Sequence, residues 1–252
     1  MKLLNLGCGA TFHPDWVNVD AAPASPAVRA HDLAEPLPFP EGNFRAVYAS
    51  HVLEHFDPDG GMRLLRECLR VLEPSGVARI VVPDLEAIAR TYLQCLEAAN
   101  GSREAEARYD WMMLELYDQT VRRASGGRMG ALLAAPLDEA QRRLIVERVG
   151  EQAMTGTKTQ TTPLMHRIAA VVLGDRRAAA LREGLFRANG EVHRWMYDRF
   201  SLERALRRAG FQDVRRCRAD ESAIADFARY GLETENGRAR KPASLYAEGR
   251  KP

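Results

Sequence analysis

The sequence predicts an α/β fold: a doubly wound, mostly parallel sheet of seven strands carrying a helical insertion. Three observations predict it. Short apolar runs alternate with turn and helix signals through the first ninety residues, and such alternation builds a parallel sheet covered on both faces. From Asp84 onward helical patterns dominate for about a hundred residues. Strand signals return only near the end, at Phe211 and Ala243.

Taken in order, Leu3-Leu4-Asn5-Leu6 is a short apolar run stopped by Gly7-Cys8-Gly9, as expected of a buried parallel strand ending in a tight turn. Residues 16–20 (WVNVD) form the second strand signal, 28–33 a weaker third and 44–50 (FRAVYAS) a fourth, introduced by the turn residues 40–43. Asp57-Pro58 supplies an N-cap followed by proline at the first helical position. Leu65, Cys68, Leu69 and Leu72 then recur at helical spacing up to a stop at Glu73-Pro74-Ser75-Gly76. Residues 77–83 (VARIVVP) are the fifth strand signal. Breaks in the helical region fall at Asn100-Gly101, Ser125-Gly126-Gly127 and Thr155-Gly156-Thr157. Ser201 reads as the cap of a helix carrying Leu202, Ala205, Leu206 and Ala209, which Gly210 ends before strands at 211–215 and 243–248. This divides the chain into residues 1–90, an insertion or lid at 91–190, and a C-terminal part at 191–252.

With 252 residues, 46% of them hydrophobic, the chain can bury an ordinary core, which excludes disordered and fibrous classes. No apolar stretch approaches the ~20 residues needed to cross a bilayer. Membrane insertion is not expected. The N-terminal run is broken by Asn5 and Gly7, too soon for a signal peptide. Four scattered cysteines, with no pair at metal-ligand spacing, read as free thiols, so no metal is expected and a cytoplasmic location is. Net charge is only +2, yet residues 1–90 hold 8 Lys/Arg against 12 Asp/Glu and the remainder 28 against 22. The basic part suits an anionic acceptor. Arginine dispersed over solvated helix faces also accounts for it and is the favoured reading.

In open parallel sheets ligands bind at the carboxyl ends of the strands, where strand order reverses. The tips here read Gly7-Cys8-Gly9, Asp20, Asp32-Leu33 and Ser50-His51. Glycines let backbone amides approach a ligand closely. A carboxylate after the second strand can accept both hydroxyls of a ribose, and one after the third can take adenine amino protons.

Arriving in this order, these tips make the chain resemble the class I S-adenosylmethionine-dependent methyltransferases. The resemblance runs through residues 4–9 (LNLGCG), 17–20 (VNVD), 31–33 (HDL), 37–44 (LPFPEGNF), 48–55 (YASHVLEH) and 69–76 (LRVLEPSG). It implies a Rossmann-like methyltransferase fold, S-adenosyl-L-methionine as cofactor, and Asn5, Gly7, Cys8, Gly9, Asp20, Asp32, Leu33, Ser50 and His51 as the residues around it. Two departures stand out: Asn5 replaces the family's acidic residue in the first strand, and Thr11 stands where a third glycine is usual. Asp20 also follows Gly9 by only 11 positions, where a full crossover helix needs about 20. The first helix must shrink to a turn or two around Pro14. That counts against a nicotinamide dinucleotide, whose pyrophosphate sits on a proper helix N-terminus. The Trp-Val-Asn-Val-Asp segment is similar to a branch of predicted methyltransferases often associated with polysaccharide biosynthesis.

No aromatic clamp for nucleobases follows the fourth strand and no basic patch interleaves aromatics, so nucleic acid is not expected as a partner. The expected acceptor is a small molecule or a sugar-containing one, methylated on oxygen. His51 is the first choice of base, since a histidine pKa suits proton abstraction near neutrality. A histidine packed beside the cofactor would look the same in sequence. His55, one turn on, reads as structural. Within the insertion Leu114, Tyr117, Asp118, Val121 and Arg122 would share one helix side. Tyr117, Asp118 and Arg122 are thereby expected acceptor contacts, although a buried hairpin with satisfied polar groups fits as well. The resemblance adds His193 as a second catalytic choice, with Arg194 and Tyr197 as acceptor contacts. A catalytically silent cofactor-binding or partner-binding protein on the same fold is the alternative. Neither the oligomeric state nor the acceptor's identity is readable.

Overall fold

The computed structural model describes residues 2–151, 154 and 174–252. The break read at Thr155-Gly156-Thr157 lies outside them. Two compact units divide the chain, one formed by Met1–Ala87 with Trp195–Pro252 and the other by Ile88–Arg194.

The first unit holds a seven-stranded sheet. Its strands are β1 (Leu3–Leu6), β2 (Val17–Asp20), β3 (Val28–Ala30), β4 (Phe44–Ser50), β5 (Leu72–Pro83), β6 (Gln212–Cys217) and β9 (Ser244–Arg250). They lie in the order β3-β2-β1-β4-β5-β9-β6. All pair in parallel except β9, which runs antiparallel between β5 and β6. Strand order reverses between β1 and β4, which places a ligand crevice at their carboxyl ends.

One face of the sheet is covered by two helices. Asp57 caps α1 (Pro58–Val71) by accepting from the Gly60 amide at 2.6 Å, with Pro58 in the first turn. The helix buries Leu64, Leu65, Cys68 and Val71 at helical spacing. Helix α8 (Arg199–Ala209) buries Leu202, Leu206 and Ala209 against the same cluster, which includes Leu4, Leu6, Phe44 and Val47. Each leucine so buried contributes roughly 1.5–3 kcal/mol. The cap of α8 differs from the sequence reading. Asp198 is the N-cap and Ser201 sits at N3, the two side chains satisfying each other's backbone amides in a capping box. Gly210 ends the helix in the left-handed conformation, as read.

The second face carries no helix of this unit among the described residues. The segment between β6 and β9 covers it, with a 3-10 turn at Phe227–Tyr230 and a hairpin of β7 (Thr234–Glu235) and β8 (Arg238–Ala239). Trp16, Tyr48, Phe227 and Tyr230 meet there edge to face or tilted. Arg79, fully buried in β5, fastens this cover. It pairs with Glu248 at 3.0 Å, donates to the carbonyls of Arg218 and Glu221 at 2.9 and 2.8 Å, and lies over the rings of Phe227 and Tyr246.

Connections are shorter than helical crossovers. Residues 7–16 form turns only, stitched by Asn5 Nδ2 to Asn18 Oδ1 at 3.1 Å and by Asn18 to the carbonyls of His13 and Trp16. The expected helix stop at Glu73–Gly76 is drawn into the start of β5 instead. The Ser75 amide donates to the Lys251 carbonyl and the Lys251 amide to the Gly76 carbonyl, so the end of the chain zips this turn into the ladder.

The second unit is helical: α3 (Arg103–Met113), α4 (Gln119–Val121), α5 (Gly127–Ala134), α6 (Glu139–Val149) and α7 (Asp175–Ala188), entered through α2 (Leu85–Ala98). Trp111, Met112, Leu144, Ile145 and Ala178 are buried in it. Between α3 and α4 a π turn spans Leu114–Asp118. Its wider i→i+5 closure breaks the single side expected for Leu114, Tyr117, Asp118, Val121 and Arg122. Asp118 is buried, whereas Tyr117 and Val121 are 55% and 59% exposed.

Candidate active site

The expected cofactor residues gather at the carboxyl edge of the sheet. Gly7 and Gly9 both take positive φ, +60° and +52°, a region that L side chains rarely adopt. A Cβ on Gly7 would overlap a Val52 methyl, so the loop after β1 and the turn after β4 are in direct contact. Gly9 faces open space, with no atom within 4 Å of where its Cβ would stand. The Gly7 amide donates to the Val19 carbonyl at 2.8 Å.

Asp20 stands half-buried at the tip of β2. Its Oδ2 accepts from the Gly9 amide at 2.8 Å and its Oδ1 from the Ala22 amide at 2.9 Å. Each oxygen thus accepts one backbone amide and keeps capacity for a further donor. Asp32 is exposed just past β3, with Oδ1 accepting from the Ala34 amide at 2.9 Å, while Leu33 packs into the core. Asn5 is buried and holds the loop through the Thr11 carbonyl and Asn18. Burial, and next the Asp20 charge, push the Cys8 thiol up to about 11, which keeps it neutral. The open space at Gly9 beside the partly exposed Asp20 carboxylate leaves room at this edge of the sheet for an adenosyl group, which Gly9, Asp20 and the exposed Asp32 would border.

Ser50 ends β4, and His51 follows at φ +55°, its amide bonded to the Val81 carbonyl at 2.9 Å. His51 Nε2 lies 2.9 Å from Ser244 Oγ, and Nδ1 lies 3.2 Å from Glu54 Oε1, whose side chain is fully buried. Burial lowers the His51 pKa most and the Lys241 charge lowers it further, against the opposing pull of Glu54. The imidazole is therefore neutral near pH 7, the form a base requires. Lys241 is itself lowered by burial, offset by Glu54 and Glu233. Glu233 is raised by burial and accepts from the Tyr48 hydroxyl at 2.6 Å.

Several expected acceptor contacts have other employment. Tyr197 packs in the core with its hydroxyl toward Gly61, and burial pushes that hydroxyl up to about 12. Asp118 accepts from the Arg128 and Met129 amides and pairs with Arg122 at 3.1 Å, which also reaches Glu191 at 3.0 Å. These contacts hold the helical unit's own hairpin. His193 is buried, its amide bonded to the Gln119 carbonyl at 2.9 Å. Tyr117 and Arg194 remain exposed.

Sequence reasoning missed Glu54, Lys241 and Ser244. Glu54 carried a signal, being three residues after His51. A cavity of about 790 Å³ lies elsewhere, at the amino ends of the strands beside Leu3, Arg45, Val77 and Arg250, and none of the strand-tip residues lines it.

Residues 4–80 match the model of a methyltransferase domain. No curated protein matches the chain. Among solved structures, one chain of a Haloferax volcanii complex containing the Trm112 methyltransferase activator is 11% identical, over all of this chain and 82% of that one, with a TM-score of 0.42. A Thermotoga maritima S-adenosylmethionine-dependent methyltransferase, described as a possible histamine N-methyltransferase, is 12% identical over 100% and 82%, with a TM-score of 0.40. An Archaeoglobus fulgidus S-adenosylmethionine-dependent methyltransferase is 14% identical over 99% and 86%, with a TM-score of 0.42. The strand order and the domain match together give a Rossmann-like methyltransferase sheet, and they imply S-adenosylmethionine as the cofactor. Among the described residues no helix is long and apolar enough to cross a membrane.

Proposed function

We propose that this protein transfers a methyl group from S-adenosylmethionine to the oxygen of a small-molecule or sugar-containing acceptor, with His51 as the base. The observation that carries the reading is the contact of the Gly7 loop with the turn after β4. It brings the cofactor loop, the Asp20 carboxylate and a neutral histidine to one edge of the sheet. When bound, S-adenosylmethionine supplies a methyl group on a sulfonium sulfur, ready for in-line displacement. The chain's own work is alignment, exclusion of water and removal of the acceptor proton.

The sugar-containing acceptor is supported by the resemblance of residues 16–20 to methyltransferases associated with polysaccharide biosynthesis. Tyr117 and Arg194 are the exposed members of the expected acceptor set, and Arg194 suits an anionic group on that acceptor. His193 stands second to His51 as the proton acceptor. A cytoplasmic location accords with the four free cysteines.

The test is calorimetry with S-adenosylmethionine and S-adenosylhomocysteine, followed by incubation with a panel of nucleotide sugars and detection of S-adenosylhomocysteine. Binding with turnover on a sugar hydroxyl supports the reading. Binding of neither nucleoside overturns it, and binding without turnover on any acceptor favours the catalytically silent alternative.

A further inference from the structure

Both ring nitrogens of His51 are engaged. Nδ1 faces the fully buried Glu54 carboxylate at 3.2 Å, and Nε2 meets the Ser244 hydroxyl at 2.9 Å. With the Ser244 hydroxyl at Nε2, a short route to the Nε2 lone pair runs through Ser244, which is itself only partly buried. The fold explains why a residue 193 positions away arrives there. Because β9 is antiparallel, its first residue pairs with Pro83 at the carboxyl end of β5, on the same edge as the glycine loop.

We propose that Ser244 is the proton relay of this site, passing the acceptor's proton to His51 while Glu54 stabilises the imidazolium that forms. This rests on the methyltransferase reading above. In the step, the acceptor's O–H bond breaks and its proton joins Ser244 Oγ. The hydroxyl proton that Ser244 already carries moves to His51 Nε2. The acceptor oxygen keeps the electron pair and would form its bond to the methyl carbon as the carbon–sulfur bond of S-adenosylmethionine breaks, leaving that pair on sulfur in S-adenosylhomocysteine, and the imidazolium later returns its proton to solvent. Ser244 thus contacts the acceptor, whereas Glu54 is a positioning residue that acts through His51. The charged and titratable groups facing the imidazole are Glu54 and His55 from the turn after β4, and Lys241 from the segment leading into β9. Lys241 is close enough to Glu54 for the carboxylate to raise its pKa against the lowering by burial.

The decisive measurement is nitrogen NMR of the histidine rings in the full chain saturated with S-adenosylhomocysteine, with His51 assigned from a His51→Gln spectrum. The expected result is a proton on Nδ1 and none on Nε2. Glu54→Gln is expected to lower the pH midpoint of His51 by about one pH unit or more, since an opposite charge is removed at close range. Ser244→Ala is expected to shift the Nε2 resonance and to slow methyl transfer to the acceptor found in the panel at least tenfold. S-adenosylhomocysteine affinity should stay within twofold, and Ser244→Thr should restore the rate. A proton on Nε2 in the unmodified protein overturns the relay, because His51 would then donate to Ser244. So does an unmoved midpoint in Glu54→Gln. Failure to bind S-adenosylhomocysteine removes the methyltransferase reading and the relay with it, whereas binding with the wrong tautomer removes the relay alone.

Discussion

Asp20 joins two tasks that a substitution can separate. Its carboxylate clips the Gly9 and Ala22 amides, and on the proposed reading its remaining lone pairs would take the ribose hydroxyls of the cofactor. Asp20→Asn keeps one carbonyl oxygen and turns an amide group toward a backbone N–H, so one clip and one ribose bond are lost. A hydrogen bond to a charged group contributes about 1.5–3 kcal/mol. Affinity for S-adenosylhomocysteine should therefore weaken by about 2 kcal/mol, roughly 30-fold. Asp20→Ala removes both ribose bonds and should weaken it further. Titration calorimetry reads the affinity, and thermal unfolding without ligand reads the clip. The two readouts matter together, since a lost clip alone lowers the melting temperature and leaves the ligand's bonds intact. An affinity within twofold of the parent in Asp20→Ala would refute the ribose assignment and leave Asp20 as a loop cap.

Three further outcomes are expected. Gly7→Ala places a Cβ onto Val52 at a left-handed φ, and the two penalties together should destabilise the fold by about 2–4 kcal/mol; Val52→Ala added to it should recover the steric part in chemical denaturation, and no recovery would show that the contact is misread. Because burial holds the His51 pKa below its ordinary value, the folded protein binds fewer protons than the unfolded chain between that lowered value and about 6.5, so this site's contribution to stability is lost as pH falls through that window. Methyl transfer should fall over the same acid limb and stay flat above pH 7; a rate that rises on acidification would exclude His51 as the base. Arg79→Met takes the buried cation from Glu248 and leaves it the longer pair to Arg215 with the Ser222 and Ala223 donors, and breaking a buried pair from one side costs about 3–5 kcal/mol. Denaturant unfolding should show that loss, and Glu248→Gln in the same chain should return part of it.

The legible parts of this fold are those with a local signal. Strands β1, β4 and the main run of β5 are buried on both faces, so they stand out as apolar runs between turn residues, and α1 announces itself through Asp57-Pro58. The cap of α8 was ambiguous because Asp198 and Ser201 can each cap a helix. Only the reciprocal pairing of their side chains decides which stands first. The face expected on one side of the insertion failed because a π turn leaves no trace in residue spacing. Of the candidate site, the gathering of Gly7, Asp20 and Ser50 at one edge of the sheet was legible because each ends a strand or directly follows one. His51 was legible for the same reason, and its partners divide by distance along the chain, with Glu54 three residues away and Ser244 across the whole protein.

The cover on the second face was the least legible element, yet the sequence contains the residue that requires it. Arg79 stands inside Val77-Ala78-Arg79-Ile80-Val81, where both neighbours on each side are apolar and buried. A guanidinium cannot be left in such a strand without acceptors, since an unpaired buried charge is prohibitively costly. Something had to bring carboxylates and carbonyls to that face, and a helix cannot, because its carbonyls are spent on its own ladder. An irregular segment with free carbonyls can, and residues 218–221 supply three of them alongside Glu248 from β9. The same requirement explains the position of Ser244. Once Arg79 recruits Glu248, β9 must lie beside β5 in the register that pairs Arg79 with Glu248, and that register carries Ser244 to Pro83 at the edge where His51 waits. A core arginine thereby sets the place of the proposed relay hydroxyl, and Arg79→Met should disturb the His51 resonances as well as stability.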